Sequence, residues 1–184
     1  MTVDTESRIE AGLEGARTRT LGLLAPIDDA DLVGQVSPLM SPLVWDLAHV
    51  GHYEELWLLR NVVGAAPTNA LFDDVYDAFK HPRRDRPSLP ILGPAEARAF
   101  VAGVRARVLD VLATIDLDSG DPLLRDGFVY GMVAQHEHQH DETMLATIQL
   151  MEQFAHPDAS GWRRTWALGD GRRGGRRRRA PWPS

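Results

Sequence analysis

Apolar residues recur along this chain mostly every three or four positions, which is the period of amphipathic helices. In the first such segment Ile9, Leu13, Ala16, Thr20 and Leu23/Leu24 share a face. Asp4 or Thr5 can cap it and Pro26 stops it. A second segment, "SPLVWDLAHVGHYEELWLLRNVVG", has Ser41 as N-cap, Pro42 in the first helical position and Gly64 as its end. The third starts at Pro94 and carries the stripe Phe100, Val104, Val108, Val111/Leu112 and Ile115. The fourth has Asp121 as cap and Pro122 as start, and its pattern runs through Leu150 to Phe154 before Pro157. No stretch alternates as a strand would, and no internal repeat is visible.

Four long amphipathic segments predict an all-α fold, a four-helix bundle over residues 4–156. Between the second and third helices lies "AAPTNALFDDVYDAFKHPRRDRPSLPILGP", which holds five prolines. A connection of this length permits a crossover rather than a simple up-and-down order, and is usually functional or carries short helical turns. Leu71, Phe72, Val75, Tyr76 and Phe79 are the residues in it expected to pack.

Composition narrows the chemistry. The 184 residues contain no cysteine, so disulfides, thiolate metal sites and cysteine nucleophiles are excluded. Any metal is held by nitrogen and oxygen. The net charge of −6 is uneven: from Gly161 on there are eight Arg and one Asp, so the preceding residues carry −13. An acidic body argues against nucleic acid as its partner. The polar, acidic start shows no secretory signal, and no apolar run is long enough to span a membrane, so the cytoplasm is the expected location.

The densest chemistry is "HEHQHDETML", His136 to Leu145. A helix turns about 100° per residue, so His136 and His140 lie about 40° apart on one face. That is the spacing with which a helix offers two imidazoles to one metal ion. His138 falls about 160–200° from both and is set aside. Glu142 lies near the His138 face and is a poor ligand for the same ion. Gln139 is about 60° from His136 and can look into the same cavity. Leu145, Ile148 and Met151/Glu152 continue the track, which turns the histidine pair toward the core. The alternative is a solvated polar face with His138 and Glu142 as an exposed pair. A third ligand must come from elsewhere: "WDLAHVGHYEE" on the second helix offers His49, His52 and Asp46, and His81 is weaker because "KHPRRDR" reads as exposed.

The segments "SPLVWDLAHVGHYEELWLLR", "YDAFKHPRRDRPSLPIL" and "HEHQHDETMLATIQLM" together resemble the N-terminal domain of the ergothioneine-biosynthesis sulfoxide synthases, within the DinB-like group of metal-binding bundles. The likeness spans roughly Ile9 to Phe154. It implies Fe(II) held by His49, His136 and His140, with Glu142 a motif residue of unassigned role. It implies coupling of a thiol donor, γ-glutamylcysteine or cysteine, to the imidazole ring of hercynine, using O2 and forming a sulfoxide. It also implies that Arg83 and Arg86 hold carboxylates of the thiol substrate, with Arg84 the alternative and a solvated basic loop the competing reading. Gln139 is placed to contact hercynine. No catalytic acid, base or nucleophile is assigned.

That family carries a second, C-terminal domain resembling the formylglycine-generating enzyme, which supplies a catalytic tyrosine. After Phe154 this sequence turns to Gly, Arg, Pro and Trp without apolar periodicity, and residues 157–184 are expected to form a disordered basic tail. It reads as a basic arm, as a tail without role, or as out-of-frame translation of GC-rich DNA; the acidic body favours the last. The chain alone is then expected to bind Fe(II) but to make little or no sulfoxide, with a separately encoded C-terminal domain as one partner. The competing functions are another DinB-like metalloenzyme, such as a zinc- or nickel-dependent thiol transferase, and a non-enzymatic helical module with structural histidines.

Overall fold

The computed structural model describes residues 5–155, with side chains to Met151. The chain divides into a unit of Met1–Met151 and a second of Glu152–Ser184; the expected tail over 157–184 lies outside the described residues. Those residues hold no strand, and no described helix is long and apolar enough to cross a membrane.

The long helices are α1 (Thr5–Leu24), α3 (Leu43–Glu54), α5 (Pro94–Leu112) and α6 (Phe128–Ala155). Short helices α2 (Asp29–Val33) and α4 (Phe72–Val75) fill the connections, with 3-10 turns at Arg83–Ser88 and Arg125–Gly127. Beyond Glu54, α3 continues as a π-helix over Glu55–Asn61. Gly64, at φ +67, then turns the chain out, as its sequence position predicts.

Three boundaries depart from the sequence pattern. Pro42, not Ser41, occupies the N-cap of α3, because the Ser41 hydroxyl accepts a hydrogen bond from Arg86 Nη1 at 2.7 Å instead. The last long helix starts at Phe128 rather than Pro122. Asp126 and Gly127 sit at positive φ, which no helix continues through, and Asp121 spends its carboxylate on Leu123 N at 2.8 Å. Helix α5 stops at Leu112, short of Ile115. Its start is as expected, with Pro94 first and Glu96 accepting from Gly93 N.

Two apolar clusters fill the bundle. One joins Leu24, the first turns of α3, Ala97 and Val101 of α5, and Met144. The other joins Leu13, Leu58 and Leu59, Val104 and Val108, and Val129, Tyr130 and Val133. Early residues of α3 and α5 thus share one end and their late residues the other. These two helices run parallel, with α1 and α6 antiparallel to both. A parallel pair needs a return crossing, and residues 64–93 supply it. That crossing is ordered through Phe72, Val75 and Tyr76, all buried. Leu71 and Phe79, expected to pack with them, are 67% and 100% exposed. A single helical turn presents only one face inward, and Phe79 lies in a tight turn where its N–H donates to Asp77 Oδ1.

The α3–α5 crossing depends on Gly51. A Cβ there would lie 2.6 Å from Val101 Cγ1 and 3.2 Å from Phe100 Cε1. A β-branched side chain in a helix has little rotamer freedom to yield. Gly51→Ala is therefore expected to destabilise the fold by about 1–3 kcal/mol, read as a lower urea midpoint. Adding Val101→Ala should recover part of the loss.

Candidate metal centre

Between the two apolar clusters lies a polar belt, and on one side of it three histidines meet. His49 comes from α3, one turn after the buried Trp45–Asp46 pair. His136 and His140 come from one face of α6, as the helical spacing predicts. One ligand nitrogen from each of the three lies within 4.8 Å of the other two, and among the described residues no other group of three or more His, Asp or Glu atoms gathers so closely. His49 Nε2 and His136 Nε2 are 3.2 Å apart.

The outer side of the cluster is tied down. His49 Nδ1 donates to Tyr76 O at 2.7 Å, which leaves its Nε2 with a free lone pair. His140 Nδ1 lies 3.0 Å from Asp46 Oδ1, and a carboxylate can only accept, so here too Nε2 is left for the interior. The His136 ring lies flat on Tyr53, 3.7 Å between centroids, and His49 stacks on Trp45 at 4.8 Å. Burial first, and then the neighbouring imidazoles His140 and His136, hold His49 well below the usual histidine range. Burial and His140 push His136 down to about 3. Both rings are thus neutral near pH 7, the form that binds metal.

The donor set is three imidazoles without thiolate or carboxylate. It suits a first-row divalent ion such as iron, zinc or nickel, and three ligands leave coordination positions open. The residues present therefore fit an ion of this class, without choosing among its members.

The other candidates separate. His52, although three residues from His49, turns to Asp73 Oδ1 at 2.9 Å. Asp73 also receives both Arg60 nitrogens, and hydrogen bonding from Arg60 chiefly holds its carboxyl down at about 2. His81 pairs with Asp74 at 3.3 Å, and His138 lies 3.4 Å from Asp141 Oδ2. Glu142 and Gln139 are both exposed. Arg83 is exposed in the crossing and donates to Leu39 O at 3.1 Å. Arg86 is buried, lies 3.6 Å over the Trp45 ring, and donates to Ser41 Oγ, Ala78 O and His81 O. Trp45 thereby touches both Arg86 and His49.

Behind the histidines the belt holds an ionic network that sequence reasoning missed. Arg17 donates to Glu54 Oε2 and Glu137 Oε1, each at 2.7 Å, and to Val101 O at 2.9 Å. Arg105 donates to Glu54 Oε1 at 2.6 Å and to Leu13 O at 2.6 Å. Thr20 Oγ1 lies 2.8 Å from Glu137 Oε1 and 2.7 Å from Asp141 Oδ1. The sequence does carry a signal: Arg17 and Arg105 sit inside apolar stripes, where a charge demands a partner. The expected apolar track along α6 is also displaced. Its fully buried line runs Glu137, Asp141, Met144 and Thr147, while Leu145 is 44% exposed. The histidine face therefore flanks this line and opens toward α3.

The chain is 53% identical over 137 residues to a hercynine oxygenase of Mycolicibacterium thermoresistibile, covering 73% of this chain and 29% of that protein. It is 52% identical over 139 residues to the hercynine oxygenase of Mycolicibacterium smegmatis, covering 74% and 31%. For that of Mycobacterium tuberculosis the figures are 50% over 140 residues, 75% and 31%. The chain thus spans about three-tenths of the length of the curated relatives it matches. A family model, that of the DinB superfamily, matches residues 12–144. That range covers α3 and α5 whole, reaches into α1 and α6 and includes each of the three converging histidines, and this chain belongs to the DinB superfamily.

Proposed function

We propose that this chain is the metal-binding helical domain of a hercynine oxygenase, holding Fe(II) through His49, His136 and His140. One observation carries the reading: three imidazole nitrogens converge from two antiparallel helices, in a chain whose matched residues are about half identical to proteins of that name. When bound, Fe(II) supplies Lewis acidity toward a thiol and redox chemistry toward O2, as needed to join γ-glutamylcysteine or cysteine to hercynine as a sulfoxide.

The chain's own residues then bind and orient. His49 and His140 offer Nε2 because Tyr76 and Asp46 engage their other nitrogens. Tyr53 holds the plane of the His136 ring. Arg83 and Arg86 are the proposed carboxylate binders for the thiol substrate, since guanidinium and carboxylate pair through two charge-assisted hydrogen bonds. Arg83 is the accessible one. Arg86 keeps two of its five N–H donors beyond those already given to the crossing. Gln139, exposed on α6 beside the His136 face, is the proposed contact for hercynine. The relatives' remaining length is the proposed source of the catalytic groups not found among these residues.

Anaerobic titration of the untagged chain with Fe(II) is expected to show one tight site. With hercynine, γ-glutamylcysteine and O2, little or no sulfoxide should form. Absence of stoichiometric binding would remove the reading, and robust turnover would overturn its dependence on a second domain. The imidazole-only donor set also suits a zinc- or nickel-dependent thiol transferase. Oxygen uptake dependent on iron, and not restored by zinc or nickel, separates the two.

A further inference from the structure

We propose that Asp46 is a positioning residue of the metal site: its carboxylate fixes the tautomer and orientation of His140 and supplies countercharge to a divalent ion held by the three histidines. The inference rests on the metal-binding reading above and deepens it. Asp46 precedes His49 by three residues, so both leave α3 on one face. His49 reaches into the cluster directly. Asp46 reaches the opposite helix, where Oδ1 lies 3.0 Å from His140 Nδ1. Helix α3 thereby provides one ligand and the support for another.

The second observation is a cost that the nearby Arg86 charge offsets only in part. Asp46 is 1% exposed, and its Oδ2 is buried with no hydrogen-bond partner. A buried carboxylate with an orphaned oxygen is expensive. The nearby cation is Arg86, but its guanidinium donates to Ser41, Ala78 and His81 and lies over Trp45. A divalent ion held by the three histidines would add positive charge, through the His140 ring, to the partial compensation that Arg86 gives. Carboxylate–histidine–metal arrangements of this kind orient the ring and raise its basicity.

The test compares the full chain with Asp46→Asn in anaerobic Fe(II) and Co(II) titrations. Thermal midpoints are taken with and without metal. The variant should bind about 10- to 100-fold more weakly, with altered Co(II) visible bands. Its metal-free midpoint should be equal to or above that of the wild type, because the buried carboxylate charge is replaced by a neutral amide, which is less costly to bury. Loss of metal affinity without loss of metal-free stability is a pattern that a purely structural role would not give. Wild-type affinity and an unchanged Co(II) spectrum in the variant would overturn the proposal while leaving the metal site standing. If the wild type itself takes up no metal, both readings fall. Should the variant not fold, long-range proton–nitrogen correlation spectra of the wild type decide the matter. They should show His140 protonated at Nδ1; a proton at Nε2 would overturn the proposal.

Discussion

His136→Ala is expected to abolish one-to-one Fe(II) binding, the largest effect of any single substitution in this protein. His136 Nε2 stands 3.2 Å from His49 Nε2, and two imidazoles of the remaining set cannot enclose an ion from three sides. The loss should exceed the roughly 100-fold that removal of an outer hydrogen bond to a ligand costs. Anaerobic titration and metal content after dialysis measure it directly. His138→Ala, two residues away, is the control. His138 turns toward Asp141 and lies outside the cluster, so its removal should leave the affinity within about twofold, far below the cost of a lost ligand. Equal metal content in wild type and His136→Ala would instead make the histidines structural.

Arg105→Met should produce the largest loss of fold stability. Its guanidinium is 6% exposed and holds Glu54, which is fully buried, together with the Leu13 carbonyl. Methionine fills much of the volume but leaves Glu54 and Glu137 with only Arg17 between them. Breaking a buried ionic network from one side costs about 3–5 kcal/mol, because the surviving charge stays buried and under-compensated. Urea unfolding read by circular dichroism measures the change. A double-mutant cycle of Arg105→Met with Glu54→Gln should be strongly non-additive, since the second change removes the charge that the first one stranded. A loss under about 1 kcal/mol, the level of an exposed ion pair, would show that the network contributes little.

The histidine face was legible because it needs only the helical period: His136 and His140 are one turn apart on any α-helix, and His138 is not. The same period, together with Pro94, Pro26 and Gly64, marked out the four long helices. Helix ends were less legible. Ser41 has a good N-cap side chain, yet Arg86, distant in sequence, takes its hydroxyl, and the cap falls on Pro42. The start of α6 moved to Phe128 because Asp126 and Gly127 adopt positive φ, which depends on what packs around the turn.

Local spacing could not choose among His49, His52 and Asp46 as the third group; only the resemblance pointed to His49. In the structure, His52 is drawn to Asp73 of the crossing, which Arg60 also holds, His49 is turned inward by the Tyr76 carbonyl, and Asp46 grips His140. Likewise, Arg17, Glu54, Arg105 and Glu137 are spread over four helices, and nothing in their spacing announces that they meet. The sequence by itself therefore determined the helices and the pair of imidazoles on α6, because those depend on neighbours a turn apart. The tertiary structure decided the third imidazole, its supports and the ionic network behind them. Those depend on which helix faces are brought together by a parallel crossover, and that pairing joins residues up to 121 positions apart.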